Sequence, residues 1–276
     1  MTVSADTFSY ISELVRKESA IRLAPGKEYL VESRLLPLAR KQGMMGEQAV
    51  DQFVRKLKTA PNPAEIAVIV EALTTNETSF FRDSTPFTTL RTELLPALHS
   101  RAGGVPRSLR IWSAAASTGQ EAYSIGMTLV EAGHEQFSIY GTDLNTVVLE
   151  QARQGLYSQL EVNRGLPAPM LVKYFDRVGA GWQVKDTLRR KMRFDQHNLL
   201  HPFPPASQYD IVFLRNVLIY FDLPVKQDIL ARVKRVLTPG GFLVLGAAET
   251  TVGVDPGWER LNIARSSVYR LPGGKP

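Results

Sequence analysis

Apolar residues recur at helical spacing through residues 1–72, and at strand spacing in much of the remaining chain. Phe8, Ile11, Leu14 and Val15 share one helical face, with Ser4 or Asp6 placed to cap it. Val50, Phe53, Val54 and Leu57 repeat the i, i+3, i+4, i+7 pattern, and so do Ile66, Ile69, Val70 and Leu73. The last of these helices has a start signal: Asn62 at the cap, Pro63 at the first position and Glu65 in the first turn. Between them a helix is expected over 27–42, ended by Gly43, with Pro37 a candidate kink. No strand signal interrupts this stretch, so an all-α bundle is predicted over 1–72.

From about residue 91 the pattern alternates helix and strand. A helix over 87–99 precedes a strand at 109–112, and a helix from 120 to about 133 leads to a strand at 137–141. A further helix runs from 145 to about 154. The alternation breaks between 155 and 195, where 174–178, a Gly179-Ala-Gly181 turn and 182–184 predict a small antiparallel insertion at about 165–190. Strands at 191–194 and 209–214, a helix over 224–237, a strand at 242–245 and a last strand at 267–271 complete the series. The expected class is α/β: a mostly parallel, Rossmann-like sheet over 91–276 with an antiparallel insertion, behind an all-α bundle. Residues 73–90 form a polar junction, Leu73-Thr-Thr-Asn-Glu-Thr-Ser-Phe-Phe-Arg-Asp83 at its core. Two readings stand for it: a capped linker pinned by Phe80 and Phe81, or a lid completing a ligand pocket.

Composition narrows the class. With 276 residues and 44% hydrophobic content the chain can bury a full core. No apolar run reaches membrane-spanning length and the first residues lack the pattern of a signal peptide; a reducing, cytoplasmic setting is expected from the absence of cysteine. The chain has no cysteine, which removes thiol catalysis, disulfides and cysteine zinc sites. The net charge of +6 favours an acidic partner but is too mild to argue for nucleic acid. Lys27, Arg34 and Lys41, seven apart, line one edge of the second helix, with Arg40 elsewhere on its surface. This edge is either a solvated face or a docking surface.

The candidate chemistry lies at the strand ends. Leu109-Arg-Ile-Trp112 stops at small residues with one glycine, Gly119, and opens a helix, as in a nucleotide-binding unit. About twenty residues on, the next strand ends in Asp143, placed to accept from ribose hydroxyls. With only Gly119 in the turn, a nicotinamide dinucleotide is disfavoured. Glu121, Asp143, Asn198, Arg215 and Asn216 all follow strands at one rim, although Glu121 could simply cap its helix and Asn198 bridge a turn. Prolines beside His197 and His201 argue against a helical zinc site, and no phosphate-binding P-loop or nucleophile elbow is present.

Thr74-Thr-Asn-Glu-Thr-Ser-Phe-Phe-Arg82, Ile111-Trp-Ser-Ala-Ala-Ala-Ser-Thr-Gly-Gln-Glu-Ala-Tyr-Ser124, Gly141-Thr-Asp143 and Phe213-Leu-Arg-Asn-Val-Leu-Ile-Tyr-Phe221 resemble the bacterial chemoreceptor glutamate O-methyltransferase family, CheR. Leu237-Thr-Pro-Gly-Gly-Phe-Leu243 is similar to a turn shared by many S-adenosylmethionine methyltransferases. The resemblance implies S-adenosylmethionine as cofactor, S-adenosylhomocysteine as product and no metal. It implies receptor glutamates as substrate, converted to γ-carboxyl methyl esters during chemotactic adaptation. Carried over by position, Asn76, Thr78 and Arg82 would close over the methionine part of the cofactor. Glu121 would sit at the first turn, Asp143 would bind ribose, Asn198 and Leu199 would flank adenine, and Arg215 and Asn216 would line the pocket. Tyr220 would stand near the transferred methyl. Gln120 departs from the second acid that many members carry there.

A carboxylate nucleophile is already ionised and needs no general base. Charge is lost as it attacks a sulfonium, so catalysis would come from in-line placement and exclusion of water. Arg82 and Tyr220 are the candidate catalytic residues, Arg82 having cofactor binding as its other reading. The resemblance also makes Lys27, Arg34, Arg40 and Lys41 a docking surface for the acidic cytoplasmic helices of chemoreceptors. The hairpin resembles the part that in some members adds a receptor C-terminal pentapeptide as a strand. A monomer recruited to receptor arrays is expected. The rivals are a methyltransferase acting on a small molecule or RNA, and a non-catalytic receptor adaptor.

Overall fold

The computed structural model describes residues 3–101, 107–203, 208–263 and 266–272. Its contacts divide the chain into two units, Met1–Thr75 with Tyr220–Val225, and Asn76–Ile219 with Lys226–Pro276.

In the first unit Ser4 caps α1 (Ala5–Ser19), its hydroxyl oxygen accepting from the Thr7 N–H. α2 (Glu28–Lys41) runs on through Pro37, and Lys27 stands at its N-cap, its side chain donating to the Tyr29 hydroxyl (3.3 Å) rather than capping the helix backbone. α3 (Ala49–Thr59) and α4 (Pro63–Ala72) complete the unit's helices, the latter capped by Asn62, whose side chain accepts from Ala64 N at 3.0 Å. Ile11, Val15, Val31, Leu35, Phe53, Val54, Leu57 and Ile69 are buried together in their helices' inner faces. Each such side chain contributes about 1.5–3 kcal/mol by leaving water. Phe8 and Leu14, expected on the core face of α1, are only half-buried; Thr7, Ile11 and Val15 take the innermost line. Tyr220–Val225 joins this unit through Arg22 N donating to Tyr220 O (3.4 Å) and Arg16 pairing with Asp222 (3.5 Å).

The second unit opens with α5 (Thr85–Thr89), a π-helical stretch Leu90–Leu94 and α6 (Leu95–Arg101), where a single regular helix is predicted. β1 (Leu109–Ala114), α7 (Gln120–Glu131), β2 (Phe137–Asp143) and α8 (Thr146–Gln154) succeed it in alternation. The inserted region comprises β3 (Leu156–Ser158), α9 (Gln159–Asn163), α10 (Ala168–Tyr174), β4 (Phe175–Val178), β5 (Gly181–Val184) and α11 (Asp186–Arg189). Then come β6 (Met192–Gln196), β7 (Tyr209–Leu214), a 3-10 turn Leu218–Tyr220, α12 (Leu223–Val236), β8 (Leu237–Leu245), β9 (Glu259–Arg260) and β10 (Ser267–Arg270).

Seven strands form the main sheet in the order β6-β2-β1-β7-β8-β10-β9, parallel except where β10 runs against β8 and β9. β7 is buried at every position, as a central strand covered on both faces must be. The insertion is a separate antiparallel sheet, β3-β5-β4. Its third strand, β3, is not expected from the pattern, because three residues are too few to show alternation. Between β7 and β8 the pairing jumps from Tyr209–Leu237 to Ile211–Phe242. Residues 238–241 bulge out there as the predicted Thr-Pro-Gly-Gly turn, although β8 includes them. A Cβ on Gly241 would lie 2.9 Å from the Asp210 carbonyl oxygen, so only glycine permits this approach.

Candidate active site

β1, β2, β6 and β7 end at a common rim, and their parallel register brings together residues far apart in the chain. The loop leaving β1 is tightly wound. Ala115 (φ 64°), Ser117 (φ 51°) and Gly119 (φ 92°) all take the left-handed conformation. Such a backbone costs roughly 1–2 kcal/mol per non-glycine residue, so the surrounding bonds must hold it. Ala116 N donates to Thr142 O (2.8 Å), and Ser117 N donates to the Asp143 carboxylate (2.8 Å). The other Asp143 oxygen accepts from Asn145 N (3.0 Å). Asp143 is thus a buried acid fixed between the loops after β1 and β2.

Glu121, in the first turn of α7, does more than favour its helix N-terminus. One of its oxygens accepts from Ser113 Oγ (2.8 Å) and the other from Arg215 Nη1 (2.8 Å). Arg215 has a side chain only 1% exposed. Its Nη2 donates to the Asp83 carboxylate (2.7 Å) and the Arg82 carbonyl (3.0 Å), while its Nε finds no partner among the described residues. A buried cation of this kind is stable only with charged partners at good geometry. Arg215 thereby ties β7 to α7 and to the segment 76–84.

That segment is pinned along its length. Asn76 O accepts from Ser117 Oγ (2.8 Å), and Phe81 N donates to Ser124 Oγ (2.9 Å). Phe80 is fully buried, edge-on to Tyr157 and Phe175 at 5.0 and 5.6 Å between ring centroids. Phe81 (φ 50°), Asp83 (φ 67°) and Ser84 (φ 45°) are again left-handed. Arg82 is half-buried and its Nη1 donates to Glu77 O (2.7 Å). Glu77 pairs with Arg164 of the insertion, and that hydrogen bond holds its carboxyl below the usual range. Phe80 packs within the second unit, on rings of the inserted region, rather than on the helical unit, and the segment is bonded to the loop after β1 through Ser117 and to Arg215 after β7.

The other expected residues take varied places. Thr78 is half-buried on the same segment. Asn198 closes a turn, its Oδ1 accepting from Leu200 N (3.0 Å), and buried Leu199 offers its carbonyl to Arg232 (2.6 Å). Asn216 is left-handed (φ 57°) and its N–H donates to Glu249. Tyr220 ends the 3-10 turn and groups with the helical unit. Lys27, Arg34, Arg40 and Lys41 are all exposed. Asp83, Ser117, Arg232 and Glu249 escape the sequence reading. Asp83 adjoins Arg82, which is a usable signal; three of the four N–H groups that Glu249 accepts from lie more than thirty residues away, and only Gly246 is near it in the chain.

Known proteins match nearly the whole length. A family model described as CheR methyltransferase, all-alpha domain, matches residues 6–74, and one described as CheR methyltransferase, SAM binding domain, matches residues 76–266. The chain is 36% identical to the chemotaxis protein methyltransferase Cher2 of Pseudomonas putida, over 95% of this chain and 97% of that one. It is 37% identical to chemotaxis protein methyltransferase 1 of Pseudomonas aeruginosa, over 98% and 99%. It is 30% identical to a chemotaxis protein methyltransferase of Borreliella burgdorferi, over 92% and 91%. With both family domains in order and a rim built as described, the chain belongs to the CheR methyltransferase family and is an S-adenosylmethionine-dependent methyltransferase.

Proposed function

We propose that this protein methylates glutamate side chains on the cytoplasmic helices of chemoreceptors, giving γ-carboxyl methyl esters and S-adenosylhomocysteine. The observation that carries the reading is the charge built into the rim. Asp83, Glu121, Asp143 and Glu249 are carboxylates and Arg82 and Arg215 guanidiniums, so acids outnumber bases four to two where a cation would be held. The residues suit such a cofactor on other grounds. A buried Asp143 stands at the end of the second strand, and the left-handed loop 115–119 lets a ligand approach the backbone. The buried Arg215 Nε has no hydrogen-bond partner among the described residues.

S-adenosylmethionine supplies an electrophilic methyl group when bound. Asp143 would hold the ribose, Asn198 and Leu199 the adenine edge, and Asn76, Thr78 and Arg82 the methionine end, with Glu121, Arg215 and Asn216 lining the pocket. Arg82 and Tyr220 would set the incoming carboxylate in line, Arg82 through its guanidinium and Tyr220 through its hydroxyl. No base is needed, because the nucleophile is already an anion at neutral pH. Placement and water exclusion would supply the rate. The exposed cations of α2 would receive the acidic receptor helices, and β4, an edge strand of the small sheet, could take a receptor's C-terminal pentapeptide as a further strand. The reading places the protein in the cytoplasm at receptor arrays, as a monomer, and gives no role to a metal.

The test is chemical. With labelled S-adenosylmethionine and receptor cytoplasmic fragments, the transferred methyl should be released by mild alkali as methanol, as an ester requires. Alkali-stable label would mean nitrogen or carbon methylation and would sink the reading.

A further inference from the structure

A carboxylate at the rim that accepts from four backbone N–H groups belongs to a residue so far given no role. Glu249 is 6% exposed and comes after β8 by a tight turn, its own N–H donating to Gly246 O (3.0 Å). One carboxylate oxygen accepts from Asn216 N and Gly246 N, both at 2.8 Å. The other accepts from Val217 N (2.9 Å) and Leu218 N (2.7 Å). Three of these donors are consecutive, in a stretch that begins left-handed at Asn216. Successive N–H groups in such a conformation form a nest for an anion. Here the chain supplies the anion itself.

The fit is close. A Cβ on Gly246 would lie 2.7 Å from both Asn216 Oδ1 and Glu249 Oε2, so glycine is needed for the carboxylate to sit against Asn216. A buried carboxylate is expensive unless hydrogen-bonded, and four backbone donors meet that cost. Removing it would leave four N–H groups short of an acceptor, those of Leu218 and Gly246 in buried bonds, and free the backbone from 216 to 218.

We infer that Glu249 is a positioning residue for methyl transfer: it fixes the backbone of Asn216–Leu218, and so the placement of Asn216 in the cofactor pocket and of the chain leading to Tyr220. This rests on the proposed methyl-transfer function of the rim. Both Glu249 carboxylate oxygens are taken up by backbone N–H groups. It acts through the loop it holds.

The experiment is Glu249→Gln in the full chain, which keeps size but replaces an acceptor oxygen by a donor. Turnover on receptor fragments is expected to fall about 10²-fold, since small misplacements are that costly, and S-adenosylhomocysteine affinity about 10-fold. Amide exchange at Asn216, Val217, Leu218 and Gly246 should speed up while exchange in β1 and β7 stays slow. Added to Asn216→Ala, Glu249→Gln should cost little more affinity, because both act on one contact. Parent-like turnover and exchange, or affinity losses that simply add, would overturn the proposal; additive loss is what general destabilisation produces. If Glu249→Gln does not fold, Gly246→Ala presses on the same contact and carries the same expectations. Failure of the functional reading looks different: the parent protein itself would form no alkali-labile ester. The affinity and exchange comparisons would still decide the role of Glu249.

Discussion

Asp143 and Tyr220 divide the proposed work between binding and chemistry. Asp143 is held by two backbone N–H groups, so it is rigid before any ligand arrives. Asp143→Ala is expected to lose about 1.5–3 kcal/mol of S-adenosylhomocysteine affinity, the range for hydrogen bonds to a charged group. Calorimetry showing parent-like affinity would remove Asp143 from the pocket. Tyr220→Phe deletes one hydroxyl with little change of shape. It should lower turnover far more than cofactor affinity; equal losses would assign Tyr220 to binding. Arg215 shows why such residues resist reading from sequence alone. Its partners, Asp83 and Glu121, lie 132 and 94 positions away. Nothing local to Arg215 announces them.

Among the elements, α2 and the segment 76–84 contrast. The cations of α2 are exposed, and exposed charges steer encounter rather than stabilise a fold. Reversing Arg34 and Lys41 to Glu should slow receptor methylation strongly at low salt and less at high salt, because screening acts over about 10 Å at 0.1 M. Cofactor affinity and melting temperature should hardly change, since such surface substitutions fall within about 0.5 kcal/mol. If methylation rates match the parent at every salt concentration, the edge is a solvated face and the receptor docks elsewhere. Segment 76–84 is the opposite case: polar in sequence, yet built around a fully buried Phe80 and three left-handed residues. Alternation and periodicity carry no information about such a segment, whose shape is set by Ser117, Ser124, Arg215 and the small sheet.

At the scale of the whole molecule, buried histidines give a pH dependence. Burial lowers the pKa of His134, reinforced by the nearby charges of His99 and Arg107. Its Nε2 faces the Gln136 carbonyl (3.0 Å) and its Nδ1 faces His99 Nε2 (3.0 Å). The neutral ring satisfies both, donating to the carbonyl and accepting from His99. Protonation sets one N–H against another. Burial also lowers His197, with help from His201 and Arg232. A base whose folded pKa is depressed stabilises the fold fully above its unfolded value, near 6.5, and that contribution is lost as pH falls through the folded value. The urea midpoint should therefore drop between about pH 7.5 and pH 5.5, and drop less in His134→Gln. A midpoint flat across that window would show that these rings titrate alike folded and unfolded.

The sequence by itself determined the elements that depend on short-range pattern. Helical spacing located α1, α3 and α4, the Asn62-Pro63 signal marked the start of α4, and apolar runs located β1, β2 and β7. Turn chemistry at Gly179–Gly181 located the inserted hairpin. Long motifs carried the family resemblance, because they are read as letters and need no geometry. Tertiary structure alone decided the three-residue strand β3, the π-helical stretch at 90–94, the left-handed backbone at Ala115, Ser117 and Asn216, and the partners of Arg215 and Glu249. The physical reason is range. Periodicity and capping are settled within a few residues, whereas a buried ion pair or a nest of N–H groups exists only after distant strands have been brought side by side.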